Sequence, residues 1–178
     1  VPEPGEELSG GETTVFQTGK TAFALPLANI SRENRRAHVV GNSFFNKNWV
    51  VAPASTTARD GLGPLFHARS CSGCHTRDGR AAPPESADEL MTGLLFRLSI
   101  PGQKPDPNYG GQLGVRAIPG AEPEGNVRIE YEELPGEFAD GTPFSLRNPQ
   151  YTLEVSGHYG EVSPGIEIGP RIAPAIHG

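Results

Sequence analysis

Cys71-Ser72-Gly73-Cys74-His75 holds the only two cysteines of the chain and places a histidine directly after the second. Two thiols separated by two residues can each add across a vinyl group of one porphyrin, so Cys71 and Cys74 are candidates for covalent attachment of one haem c. His75 then falls under the iron, where a neutral imidazole is a good axial donor and a main control on the iron potential. A dithiol redox motif and half of a zinc site are the competing readings of such a pair. Structural zinc needs four ligands, and His38, His67, His75, His158 and His177 include no closely spaced pair to complete a site. A thioredoxin-like motif would follow a buried strand, whereas Phe66-His67-Ala68-Arg69-Ser70 is polar and more helical in character.

Working outward, Gly63-Pro64-Leu65-Phe66-His67-Ala68-Arg69-Ser70-Cys71 reads as a short helix running into the attachment turn, with Pro64 at a first helical position. Leu65 and Phe66 would give it an apolar side for a flat porphyrin, although ordinary core packing explains Phe66 equally well. After His75, Thr76-Arg77-Asp78-Gly79-Arg80 supplies a turn centred on Asp-Gly. Arg69, Arg77 and Arg80 surround the motif. They suit either bidentate pairing with haem propionates or a solvated basic loop.

Several stretches together resemble a known family. They are Leu8-Ser9-Gly10-Gly11-Glu12, Gly41-Asn42-Ser43-Phe44-Phe45-Asn46-Lys47-Asn48-Trp49, Asp60-Gly61-Leu62-Gly63-Pro64-Leu65-Phe66, Ala68-Arg69-Ser70-Cys71-Ser72-Gly73-Cys74-His75 and Tyr109-Gly110-Gly111-Gln112-Leu113. The chain resembles the di-haem oxidoreductases, labelled peroxidases or thiol oxidoreductases, which are related to bacterial dihaem cytochrome c peroxidases. The resemblance implies an α+β fold, with a cytochrome c-like helical haem domain and a small antiparallel β-sheet insertion. It also implies a much longer protein with a second Cys-x-x-Cys-His, so this chain is similar to the first-haem half. The implied partner is a redox protein or a second haem domain, and the implied compartment is the periplasm.

Taken in order, the first thirty residues mix Gly, Pro and Thr with Val15, Phe16, Phe23, Leu25 and Leu27, and are expected to form an arm packed over the domain. Ser31 can cap a helix from Arg32 to Trp49, with Ala37, Val40 and Phe44 on one side. Gly41 weakens its middle by about 1 kcal/mol relative to alanine, enough to divide it. His38 reads as a half-exposed helix residue. The boundary is expected near residue 93, with the arm and haem segment in 1–93 and a β-rich insertion and tail in 94–178.

In that second part Phe96, Leu98 and Ile100 alternate with Leu95, Arg97 and Ser99, and Val127, Ile129 and Tyr131 with Arg128, Glu130 and Glu132. Phe144 to Leu146 and Tyr151 to Val155 repeat the pattern, with turns expected at Leu134-Pro135-Gly136 and Ala139-Asp140-Gly141. Glycine and proline are abundant, 23 and 18 residues, but the patterned strands between them point to ordered loops.

A net charge of −6 argues against nucleic acid, whose phosphates call for a basic stripe. No apolar run approaches a membrane span. A chain of 178 residues can bury roughly 70% of its unfolded surface, so one domain is the natural reading. The start, Val1-Pro2-Glu3-Pro4-Gly5, has no signal-peptide core and reads as a processed or trimmed end.

Function turns on the far side of the iron. Met91, the only methionine, is a candidate sixth ligand or a gap-filling core residue. His67 is expected to lie on the wrong side of the attachment helix for easy reach. His158 or His177 could return to the iron, or the position could stay open to peroxide. An electron-transfer module, a peroxidase-type enzyme and a docking domain with inactive haem are thus all compatible with the residues.

The cysteines make the first expectation measurable. Co-expressed with a haem c assembly system, the chain should gain the mass of one haem that survives denaturation, and Cys71→Ala should leave at most one thioether. Haem-free mass in the matured protein would remove this reading.

Overall fold

A computed structural model describes residues 3–87, 89 and 91–176 of the chain. Its one α-helix among the described residues, α1, spans Arg32–Asn46. The Ser31 hydroxyl accepts from the amide of Asn34 at 3.1 Å, the N-cap expected of a serine before a helical run. Gly41 does not divide the helix. It stops at Asn46, three residues earlier than expected, because competing bonds take over its end. The Asn46 side-chain amide donates to Asn42 O at 2.9 Å, and the Trp49 amide is drawn to Arg69 O at 2.7 Å.

The helix expected over residues 63–71 does not form. Leu65–Phe66 is instead a short strand, β1. It pairs antiparallel with β3, Arg116–Ala117, with Leu65 opposite Ala117 and Phe66 opposite Arg116. The Ile118 amide extends this pairing onto Pro64 O at 3.0 Å. Helical propensity over so short a stretch is a weak preference, and a tertiary partner overrides it. The chain then enters a 3-10 turn at Cys71–Gly73, which the Ser70 hydroxyl caps by accepting from the Gly73 amide at 3.1 Å.

The second part is built of two antiparallel ribbons. β2, Leu94–Ser99, pairs with β6, Glu167–Ile172, with Leu94 opposite Ile172 and Ser99 opposite Glu167. β4, Gly125–Glu137, pairs with β5, Pro143–Val155, from Gly125 opposite Val155 to Glu137 opposite Pro143. The expected turn at Ala139-Asp140-Gly141 lies between β4 and β5, with Gly141 in the left-handed region at φ +84°. The turn expected at Leu134-Pro135-Gly136 is strand instead, and the two short strands expected after it are one. A two-stranded ribbon has two open edges, so Pro135 can lack an N–H without breaking a ladder bond.

The core sits where the ribbons face each other. Leu94, Phe96 and Leu98 of β2 meet Val127 and Ile129 of β4, with Tyr109 and Leu113 from the intervening loops. Period-two alternation made this possible, since every second residue of β2 points inward. Each such side chain contributes roughly 1.5–3 kcal/mol by leaving water. Phe96 packs edge-on against Tyr151, ring centroids 5.9 Å apart. By contrast α1 buries no residue fully, and Val39, Val40 and Phe44 stay exposed. The N-terminal arm touches the rest only in part. Phe23 reaches Gly79 and lines a small cavity with His38, Asn42, Phe45 and Asp78, while Val15, Phe16, Leu25 and Leu27 remain exposed.

One buried carboxylate ties the loops to this core. Asp106, 2% exposed, accepts from the amides of Asn108 at 2.8 Å and Tyr109 at 3.0 Å through one oxygen, and from Ser163 at 3.0 Å through the other. Burial opposes its ionisation, but these N–H donors outweigh it and hold the carboxyl at about 2. A depressed carboxyl pKa stabilises the fold fully above the ordinary value near 4. That contribution fades as pH falls through about 2. Asp106→Ala should therefore lower unfolding free energy by ~2 kcal/mol at pH 7, and the difference from wild type should shrink below pH 4. Urea melts of both proteins from pH 7 to 2 check this, and a gap that does not change with pH would contradict it.

Candidate functional site

Cys71, Cys74 and His75 line one cleft of about 600 Å³, together with Trp49, Leu95, Ile172, Ala173 and Pro174. Three segments meet there: the 3-10 turn presents the thiols, β2 and β6 supply an apolar wall, and the chain after β6 folds back across the motif. That return is held by a series of bonds. The Ala173 amide donates to Gly93 O at 3.0 Å, the Ala81 amide to Ala173 O at 3.1 Å, and the Ile176 amide to Asp78 O at 2.7 Å. Between them, His75 Nδ1 lies 2.7 Å from Pro174 O.

This last bond sets the chemistry of His75. A carbonyl oxygen only accepts, so Nδ1 carries the proton and Nε2 of the neutral ring keeps its lone pair. That is the arrangement found in metal-ligating histidines, whose second nitrogen is held by an outer partner. Phe45 of α1 packs beside the same ring, centroids 6.2 Å apart at 48°. The residues therefore fit a haem c: two free thiols on one turn, one oriented imidazole and an apolar cleft of ligand size. Among the described residues no three His, Cys, Asp or Glu side chains are grouped to hold a bare metal ion. A porphyrin supplies four donors of its own and needs no such group.

Burial pushes the Cys74 thiol above its ordinary value, the positive charge of Arg116 pulls it back, and Cys71 adds to the rise. His67 is shifted the other way. Burial lowers it, the Leu94 carbonyl opposes that, and Arg116 lowers it further, so its imidazole is neutral at pH 7. Its Nε2 donates to Leu94 O at 2.8 Å, and its Nδ1 is buried without a protein partner. The expectation that His67 faces away is corrected: with no attachment helix, the extended chain after β1 turns it into the wall of the cysteine cleft. His67 also lines a neighbouring cleft of about 440 Å³, and Met91 lies in that one with Phe96, Val115 and Arg116.

The other candidates separate clearly. Arg69 lines the cysteine cleft and stacks over Phe66, its Cζ 5.8 Å from the ring centre, whereas Arg77 and Arg80 are not among the cleft residues. Arg171, which sequence reasoning missed, does line it. His38 faces the small cavity behind α1, and His158 packs on Tyr159 with ring centroids 5.0 Å apart. His177 falls outside the described residues. Pro174 and Arg171 carried no signal, because neither belongs to a motif and both reach the site only through the β2–β6 register.

A thiol pair and an oriented histidine thus share one apolar cleft, and comparison with known families adds a second, independent observation. Residues 5–94, half of the chain, match the family described as di-haem oxidoreductase, putative peroxidase, and the chain belongs to that family. The match contains all of Cys71–His75 and ends at the first residue of β2. No curated protein and no solved structure matches the chain.

Gly93 is the tightest point of this assembly. A Cβ there would sit 1.9 Å from Ala81 Cβ and 3.4 Å from Cys74 O. Gly93→Ala should push β2 away from the motif, cost roughly 1–3 kcal/mol and lower haem incorporation, whereas Gly41→Ala on open helix surface should do neither. Thermal melts and the haem-to-protein ratio of the two purified variants decide it.

Proposed function

We propose that the chain carries one covalent haem c on Cys71 and Cys74, with His75 as axial ligand, and acts as an electron-transfer segment of a di-haem oxidoreductase. The observation that carries this reading is the bond from His75 Nδ1 to Pro174 O within a cleft that both cysteines line. Bound there, haem c supplies a one-electron iron couple tuned by its axial ligands and surroundings. The protein residues have distinct parts. Pro174 O fixes the His75 ring and leaves Nε2 as its donor atom. Trp49, Leu95 and Ile172 offer apolar surface to the macrocycle, and Arg69 and Arg171 offer guanidinium forks to its carboxylates.

Two residues are candidates for the sixth position: His67 in the wall of the cysteine cleft and Met91 in the adjoining cleft that His67 also lines. A second reading is a peroxidase-type reaction with hydrogen peroxide at an open haem, and His67 favours it. Its ring is neutral, the state required of a general base, and lines the cysteine cleft, although Nδ1 itself is buried. Reducing hydrogen peroxide to water takes two electrons, so this reading calls for a second haem domain or a redox partner protein. The family relationship and the exported chemistry of haem c attachment support a periplasmic location. Among the described residues no helix is long and apolar enough to cross a membrane.

Optical spectra of the reduced protein, with and without carbon monoxide, test the proposal. An electron-transfer segment should show a six-coordinate haem c spectrum that carbon monoxide leaves unchanged. A carbon monoxide adduct would favour the open-haem reading, and the absence of any haem spectrum would remove both.

A further inference from the structure

The outer face of the β2–β6 ribbon carries a polar groove of about 770 Å³, of which the haem reading uses only Leu95 and Arg171. The register puts Arg97 opposite Gly169 and Leu95 opposite Arg171, so both arginines stand on one face of the ribbon as diagonal neighbours. Gly169 has no side chain to separate them. A Cβ built there would lie 3.6 Å from both Arg171 Nη1 and Arg97 Cβ, so the Arg171 guanidinium folds over the glycine toward the Arg97 stem. On the other side, a Cβ at Gly111 would lie 3.3 Å from Arg97 Nη2. Two glycines thus floor a depression flanked by two guanidinium groups.

Those charges are not neutralised by the protein. The Arg97 side chain makes no hydrogen bond or ion pair among the described residues, and the Arg171 side chain donates only to Pro170 O, at 3.0 Å. Glu167 lines the far end of the groove, opposite Ser99, without reaching either arginine. Two adjacent like charges repel, and each presents a planar fork of donors matched to a carboxylate. Gln103, Gln112 and Ser99 add neutral donors around them.

We propose that Arg97 and Arg171 form a carboxylate-binding site on this face. Arg171 and Leu95 also line the cysteine cleft, so groove and cleft border each other at these two residues. The carboxylate therefore has two possible sources, a free organic acid or a propionate of a porphyrin in the cleft, and one set of measurements separates them. The site is argued from the ribbon alone and does not require the haem reading.

The full chain, purified after co-expression with a haem c assembly system, is titrated calorimetrically with succinate and with neutral succinamide. Wild type, Arg97→Gln, Arg171→Gln and Gly169→Val are compared, the last filling the floor while keeping both charges. Saturable succinate binding, absent with succinamide and weakened at least tenfold in all three variants, assigns the site to a free carboxylate. No succinate binding, with a lowered haem midpoint potential in both arginine variants, assigns it to the porphyrin's own propionate, since removing a nearby cation favours the oxidised iron. No succinate binding and no shift in potential, or succinate binding that the variants leave unchanged, overturns the proposal. If no haem is attached, the succinate titration alone decides, so failure of the haem reading is seen separately.

Discussion

The hydrogen bond between His75 and Pro174 spans 99 positions of sequence, and the candidate site depends on it. It fixes the tautomer and direction of the one imidazole that follows the cysteines. A net protein hydrogen bond contributes only about 1 kcal/mol, so the bond cannot hold the returning chain by itself. It is placed by the β2–β6 ladder, which ends two residues before Pro174, and by the amide bonds of Ala173, Ala81 and Ile176 around it. The ladder is anchored in turn by Leu94, Phe96 and Leu98 in the core. Stability is thus generated in the ribbons and delivered to the motif through a strap.

Arg116 links the two halves electrostatically. Its register opposite Phe66 places its charge within reach of both Cys74 and His67. One positive charge acts oppositely on chemical function in the two cases: it favours thiolate at Cys74 and disfavours imidazolium at His67. Burial agrees with it at His67 and opposes it at Cys74. The result is a neutral His67 beside a thiol still raised by burial, so the positive charge of the site comes from its arginines alone.

Period and motif were legible without coordinates. The Ser31 cap, the alternation of Leu94 to Ser99 and of Val127 to Tyr131, and the Asp140-Gly141 turn all depend on neighbours within a few residues, which a sequence displays directly. The same local logic failed at Leu65–Phe66, where pairing with a strand some fifty residues away outweighed a helical-looking stretch. It failed again at Leu134-Pro135-Gly136, whose turn chemistry was overridden by a partner strand able to accommodate proline at an open edge.

The sequence by itself therefore determined the chemistry on offer: two thiols and a histidine at attachment spacing, the family to which residues 5–94 belong, and which strand faces could be buried. Only the tertiary structure decided how that chemistry is set. It chose Pro174 to orient His75, turned His67 into the cleft wall, put Met91 in the adjoining cleft and replaced Arg77 and Arg80 with Arg171 at the site. The physical reason is the same in each case. These residues meet through strand register and chain return over long separations, and neither residue type nor local spacing encodes where such returns land.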